Sequence, residues 1–209
     1  VFKSKHTKSV LIENSQHIKS PKRNPDWLII FKIIACSSII IGFMFNAVIV
    51  SLPKLLDNRL NTIGENVNSI GYLAFGIYIF AACAQLTVGH LIDRFRVKPI
   101  FITISILLSC SMVLVIFSTD IFLIISISCM MALVYATLPI SDTLLARNIP
   151  QHLRSRIFAL IYIISFSASA LAVPTIAILH LRDGFTTLFI TLSILAFVLA
   201  LIITKLPVK

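Results

Sequence analysis

Charged residues are scarce in this 209-residue chain, in which Asp, Glu, Lys and Arg together make up 12% of the sequence. A soluble domain carries about 25% charged residues and about 45–50% apolar ones. Here the apolar and aromatic types, including Cys, reach 58%. So little charge cannot cover the surface of a soluble core this apolar. The composition therefore excludes an ordinary soluble enzyme, a disordered chain and a coiled coil, and it indicates a protein of the lipid bilayer.

Several chemical signatures are also missing from the sequence. No pair of its four cysteines has metal-ligand spacing, so we interpret these residues as small apolar packing residues: Cys36, Cys83, Cys110 and Cys129. The five histidines lie in tails or turns: His6, His17, His90, His152 and His180. There is no Walker motif for ATP. We therefore expect no metal site, no cofactor and no intramembrane enzyme.

Six long apolar stretches dominate the chain, and each can supply the about 20 residues that a helix needs to cross a bilayer core. They run over Trp27–Leu52, Ile70–Ile92, Val97–Phe117, Ile121–Ala146, Ile157–Leu179 and Phe185–Leu206. Helix is expected because lipid cannot satisfy a bare backbone, and none of the six alternates like a β-barrel strand. The sequence therefore predicts an all-α polytopic membrane protein.

The first 26 residues differ in kind, because they are basic and polar and contain no apolar core of a signal peptide. We interpret residues 1–26 as a cytoplasmic tail or a linker between domains, and residues 27–209 as one transmembrane domain. The chain begins with Val1 rather than Met, which suggests a processed or partial chain.

The net charge of +10 comes from 18 Lys and Arg against 8 Asp and Glu. Fourteen of these cations fall in the tail, the C-terminus and the two turns that share their side, and three fall on the opposite side. Lys32 lies one turn into the first helix and can extend toward the tail side. By the positive-inside rule both termini are expected in the cytoplasm. The charge is then mainly a topology signal, and no nucleic-acid partner is predicted.

The turn after the second stretch holds the most specific local pattern, which runs from Gly89 to Lys98. Asp93 lies at the C-terminal end of a helix, where the helix dipole disfavours a carboxylate, so it needs a partner elsewhere. Gly89 would let another helix approach closely. The neighbouring cations can bind that carboxylate or a lipid phosphate. A solvated turn that obeys the positive-inside rule is the alternative interpretation.

This run resembles the signature loop of the major facilitator superfamily, Gly-x-x-x-Asp-Arg-x-Gly-Arg-Lys, with matches at Gly89, Asp93, Arg94 and Lys98. Arg96 and Val97 depart from it. The turn Pro150-Gln151-His152-Leu153-Arg154-Ser155-Arg156, the last helix with its closing Leu-Pro, and the linker-like start also resemble the family. The resemblance covers nearly the whole chain. It implies half of a twelve-helix transporter, the C-terminal half (helices seven to twelve) rather than the N-terminal one.

That resemblance implies further properties. The fold would be a 3+3 inverted repeat in a plasma membrane, the inner membrane in a bacterium, with the N-terminal half absent. The signature loop would act as a conformational latch, in which Asp93 docks on a helix of the other half. The residues assigned to the latch are Gly89, Asp93, Arg94, Lys98, Arg154 and Arg156.

Polar and small residues at helical spacing predict a pathway face on the first, second, fourth and fifth helices. The pathway candidates are Asn46, Tyr78, Gln85, Tyr135 and Asp142. The third and sixth helices lack such a face, and we expect them to face lipid, as in a 3+3 inverted repeat.

Each candidate has a plainer alternative. Small residues such as Ser165 and Ser169 serve helix packing as well as substrate contact. Asp142 is the only carboxylate well inside a helix, which favours function, but an interfacial ion pair with Arg147 explains it equally. Pro139 is either a hinge or a bend absorbed by packing.

These patterns favour a secondary transporter of a small solute working by alternating access, with proton or ion coupling open. The alternative is a stand-alone six-helix membrane protein, either a homodimeric transporter or a non-transporting scaffold. An intramembrane enzyme is disfavoured because Asp142 has no second carboxylate at helical spacing.

Overall fold

A computed structural model of the protein describes residues 27–59 and 67–206, with side chains described at 29–59, 70–179 and 184–206. Within these ranges it contains six long helices, one short 3-10 turn and no strand. The helices are α1 (Trp27–Arg59), α2 (Val67–Arg94), α3 (Val97–Phe117), α4 (Asp120–Asn148), α5 (Arg154–Asp183) and α6 (Phe185–Thr204), and the 3-10 turn spans Gln151–Leu153. All six are long and apolar enough to cross a membrane. The predicted all-α class is confirmed, while residues 1–26 lie outside the described ranges.

The helices extend beyond several of the predicted limits. α1 passes through Pro53 and ends at Arg59 rather than at Leu52. The extension is anchored by Leu55 and Leu56, which are 1% and 0% exposed, and a proline removes only one backbone hydrogen bond. Prolines also lie inside α4 and α5. An apolar run in the sequence predicts that a helix forms. Where the helix ends depends also on which residues beyond the run are buried.

Short connections join most neighbouring helices, so consecutive helices run antiparallel. Phe95 and Arg96 join α2 to α3, and Ser118 and Thr119 join α3 to α4. Gly184 joins α5 to α6 with φ of +69°, a backbone conformation that suits glycine because it lacks a Cβ. The α2–α3 and α4–α5 connections lie at one end of the bundle, which we call the turn end.

Three helix pairs carry the most extensive packing: α1 with α5, α2 with α4, and α3 with α6. Exchanging α1–α3 with α4–α6 converts the first pair into the second and leaves the third unchanged, so the pairing is consistent with a 3+3 inverted repeat. Ser109 of α3 and Ser193 of α6 show the same reciprocity, since each hydroxyl is 3.0 Å from the other's carbonyl oxygen.

Burial is unequal among the helices. In the most apolar stretch of each helix, 17% of residues are buried in α2 and 22% in α5, against 39–44% in the other four. We expected α3 and α6 to be the lipid-facing helices, but α2 and α5 are more exposed. α3 and α6 bury one stripe against each other and present a second, apolar stripe outward. Composition cannot separate these cases, because lipid tails are as apolar as leucine.

The cysteines lie on the outside of the bundle. All four have free thiols and exposed side chains: Cys36, Cys83, Cys110 and Cys129. They therefore do not pack within the described bundle, as their interpretation as small apolar packing residues would have required. A small apolar side chain on a membrane-length helix is as compatible with a lipid-facing surface as with a core.

Candidate functional site

A cleft of about 390 Å³ lies between α1, α2, α4 and α5, the four helices on which the sequence predicts a pathway. Gln85 of α2 and Asp142 of α4 both line it, and they are the two predicted pathway residues that do so. The other polar side chains on its walls are Ser38, Ser141, Tyr162, Ser165 and Ser169. The walls between them are apolar, as is usual for pockets that bind small molecules.

Asp142 and Tyr162 form a direct polar contact in the cleft. The Tyr162 hydroxyl lies 3.1 Å from each carboxylate oxygen of Asp142 and donates to that carboxylate across the α4–α5 boundary. Asp142 is half-buried, and no described cation forms an ion pair with it. Arg147 instead donates to the carbonyl of Ile92. The structure therefore does not form the ion pair that was the alternative explanation for this carboxylate.

The α1–α5 seam is a close contact of small residues beside the cleft. A Cβ built on Gly42 would lie 2.5 Å from the carbonyl oxygen of Ser165, so the position has no space for a side chain. The Ser165 hydroxyl donates to the carbonyl of Ser38. The Asn46 amide donates to Ser169, at 2.6 Å to its hydroxyl and 3.1 Å to its carbonyl. Asn46, although predicted as a pathway residue, joins helices and does not line the cleft.

Tyr78 and Tyr135 form an aromatic group with Phe45. The ring of Tyr135 lies 5.1 Å from that of Phe45 and 6.3 Å from that of Tyr78, in tilted and edge-on arrangements. Of the three, Phe45 alone lines the cleft. The two tyrosines therefore border the predicted pathway through Phe45, and they bring α2 and α4 together.

Tyr162 is the important residue absent from the predicted set of pathway residues. Its position on the small and polar face of α5 was visible in the sequence, at helical spacing from Ser165 and Ser169. Its pairing with Asp142, 20 residues away, depends on how α4 and α5 are aligned. No periodicity within one helix encodes that alignment.

Some of the residues assigned to the latch have no partner at the turn end within the described ranges. Asp93 and Arg94 are exposed and form no hydrogen bond or ion pair within the described part of the chain. A Cβ built on Gly89 would have no described atom within 4 Å. The close helix approach expected at Gly89 is thus absent from this structure, and it occurs at Gly42 instead.

Three other basic residues of the two turns bind backbone carbonyls. Lys98 donates to the carbonyl of Leu206 at 2.6 Å, and Arg154 donates to that of Ala146 at 2.7 Å. Arg154, and Arg147 on Ile92, satisfy carbonyls that α4 and α2 leave unpaired at their C-terminal ends, where the dipole also favours positive charge, whereas Leu206 lies two residues beyond the end of α6. Arg156 is exposed and makes no such bond among the described residues. The basic turns therefore have a structural role besides sidedness.

The geometry defines the class of the protein as a polytopic membrane protein with a polar cleft between its helices. A family model, the Major Facilitator Superfamily, matches residues 34–209. The chain therefore belongs to the major facilitator superfamily, a family of membrane transporters. Comparison with curated proteins and with solved structures found no match. Within the described residues, no group of His, Cys, Asp or Glu is placed to hold a metal ion.

Proposed function

We propose that the chain is the C-terminal half of a secondary active transporter that moves a small solute by alternating access. The observation that carries this proposal is the cleft of about 390 Å³ between α1, α2, α4 and α5, lined by Gln85 and Asp142. In an alternating-access transporter, the solute site lies between two bundles that rock about it. One bundle alone would therefore show a polar cleft that is open on the side where the second bundle packs.

The exposure of α2 and α5 supports the proposal that a second bundle covers this cleft. α2 and α5 both contribute to the cleft walls, and both are covered by few neighbours. Lipid could cover their apolar side chains, but a charge at the bilayer centre costs about 2.5–3.5 kcal/mol even on insertion scales. Asp142 therefore favours a protein or water neighbour over lipid. A second six-helix half supplies one.

Within that cleft, we assign Asp142 and Tyr162 to the binding of a proton, an inorganic cation or a cationic group of the solute. The carboxylate is half-buried and has no described cationic partner. Tyr162 holds it in position through the two 3.1 Å contacts. Gln85 adds an amide, which can both donate and accept hydrogen bonds.

For the latch, we propose that Asp93 and Arg94 engage the second half when the turn end is closed. Their exposure and lack of described partners support this role. Lys98 and Arg154 are already bound to carbonyls of this half. We therefore assign these two cations to holding the turns in place rather than to contacting the partner.

The test is solute uptake into vesicles that contain this chain with and without a six-helix N-terminal half, measured by mass spectrometry over a panel of charged and neutral solutes. We expect uptake only with both halves. Gln85→Leu should abolish it, whereas Thr87→Val should not, because Thr87 is exposed and bonds its own helix at Cys83. Equal uptake by both variants would reject the site.

A homodimer is the second candidate, favoured by the same exposed faces of α2 and α5. Self-pairing would also cover the cleft, either as a transporter or as a non-transporting scaffold. Cross-linking from Cys83, exposed on α2, distinguishes the two: a homodimer gives a product of twice the chain mass when the chain is expressed alone. Sequencing upstream of the Val1 codon gives an independent answer, because a second half would appear there as six more apolar stretches.

We further propose that the turn end faces the cytoplasm of a plasma membrane, as the excess of Lys and Arg in the turns and tail predicts. Labelling of Arg156→Cys and Lys54→Cys with a membrane-impermeant maleimide, in a chain without its native cysteines, tests the orientation. In intact cells, only the Lys54→Cys chain should react.

A further inference from the structure

An apolar groove of about 840 Å³ lies on the outer surface of α2, α3 and α4, away from the polar cleft. Its walls are apolar side chains of the three helices: Val88, Leu91, Phe95, Ile100, Ile104, Leu107 and Leu133. Leu91, Phe95 and Leu107 are 39%, 60% and 50% exposed, so the groove faces the surroundings of the bundle. On a membrane protein those surroundings are acyl chains.

The groove has a basic rim at the turn end. Arg94 and Arg96 line it and are exposed, and neither forms a hydrogen bond or ion pair within the described ranges. Within those ranges their charge is therefore uncompensated, even though Asp93 is a sequence neighbour.

A second cavity of about 320 Å³ joins this rim, because Arg96 and Pro99 line both spaces. Lys98 and Arg147 supply two more cations to its walls. The first turn of α3 also borders it, and the N-cap residue of that helix, Arg96, makes no side-chain cap bond. The amides at a helix N-terminus attract anions. The two cavities thus share Arg96 and Pro99 as a common wall, with mainly apolar residues lining the larger one and three cations lining the smaller one.

We propose that this site binds one anionic phospholipid of the leaflet at the turn end, with its phosphate against Arg96 and its acyl chains in the apolar groove. A soluble anion would use the basic cavity but not the groove, and a neutral lipid would use the groove without the charge. Basic pockets between transmembrane helices are suited to anionic head groups. The proposal does not depend on what the protein transports, because the groove and the polar cleft have no lining residue in common, although Arg94 belongs both to this rim and to the proposed latch.

The test is native mass spectrometry of the full chain in mild detergent, with equal amounts of phosphatidylglycerol and phosphatidylcholine that carry the same acyl chains. The wild type should retain phosphatidylglycerol in preference. Arg94→Gln with Arg96→Gln should lower that preference about fivefold for each arginine, as expected for basic residues near an anionic surface. The matched control is Lys32→Gln with Lys205→Gln, which removes the same charge from exposed residues outside both cavities.

The apolar part is tested separately. Thr103→Trp fills the groove and should reduce retention of both lipids, whereas Ile106→Trp on the same helix lies outside it and should not. Leu107→Trp replaces Thr103→Trp if the latter fails to fold, as judged by circular dichroism. Equal retention of the two lipids by the wild type, equal effects of the two double variants, or full retention in the folded tryptophan variant would each overturn the proposal.

Discussion

Gly42 in α1 and Gly89 in α2 both belong to faces of small and polar residues at helical spacing, yet their surroundings are opposite. At Gly42 the backbone of α5 comes so close that a Cβ would lie 2.5 Å from the carbonyl oxygen of Ser165. At Gly89 no described atom would lie within 4 Å of a Cβ. The first region is a finished seam within one bundle. The second is a surface whose proposed partner belongs to the other half, so the same pattern serves two kinds of contact.

The largest expected effect breaks the finished seam. Gly42→Ala should destabilise the chain by about 2 kcal/mol, because an added methyl forces a tightly packed contact apart. Gly89→Ala should instead stabilise it by about 0.5–1 kcal/mol, since alanine is the better helix former. Unfolding in mixed micelles measures both. If Gly42→Ala proves as stable as the wild type, the close approach of α1 and α5 is wrong.

The second prediction concerns the cleft beside that seam. Asp142→Asn keeps a hydrogen-bond partner for Tyr162 but removes the charge, and we expect transport to fall about tenfold, or about 1.4 kcal/mol. Uptake by the two-half transporter is the measurement, with Asp120→Asn, exposed at the start of α4, as the control. Unchanged uptake in Asp142→Asn would remove this carboxylate from the site.

The sequence predicts features that are set within one helix, but it does not predict features that depend on the alignment of two helices. Six helices follow from six apolar runs, because the bilayer sets a length that few other folds require. The four helices of the cleft follow from polar residues at helical spacing, as at Gln85 and Asp142. Alignment between helices does not follow, since nothing within α5 specifies that Tyr162 lies opposite Asp142.

Exposure is the other property that periodicity leaves open. In a soluble protein an apolar helix face predicts burial. In a membrane protein an apolar face can be buried against other helices or can face lipid. The exposure of the four cysteines, and the greater exposure of α2 and α5 than of α3 and α6, were not predicted for this reason. Gly89 shows the same ambiguity. Small residues at helical spacing are expected whether the partner helix belongs to this bundle or to another one.

A third, smaller effect isolates one contact of the seam. Asn46→Ala and Ser169→Ala each remove one end of the 2.6 Å hydrogen bond between α1 and α5. A double-mutant cycle in micelle unfolding should give a coupling energy of about 0.6 kcal/mol, the average for such bonds between membrane helices, and at most about 1.7 kcal/mol. The cycle of Asn46→Ala with Ser167→Ala, an exposed serine bonded within its own helix, should give no coupling. A coupling near zero in the first cycle would show that close packing alone holds the seam.

The smallest expected effect concerns the turn end, where Gly89 has no close helix contact and Lys98 forms a bond to Leu206. Lys98→Met removes the ammonium that donates to the carbonyl of Leu206, and the loss should be about 0.5–1 kcal/mol, within the usual net contribution of one hydrogen bond. Arg96→Met, in the same turn but without a described bond, should change the unfolding free energy by less than about 0.5 kcal/mol. Equal losses in the two variants would mean that general charge at the turn end, rather than the bond to Leu206, stabilises the turn. A larger loss at Lys98 alone would show that its bond to the Leu206 carbonyl holds this end, while Asp93 stays available to the proposed second half.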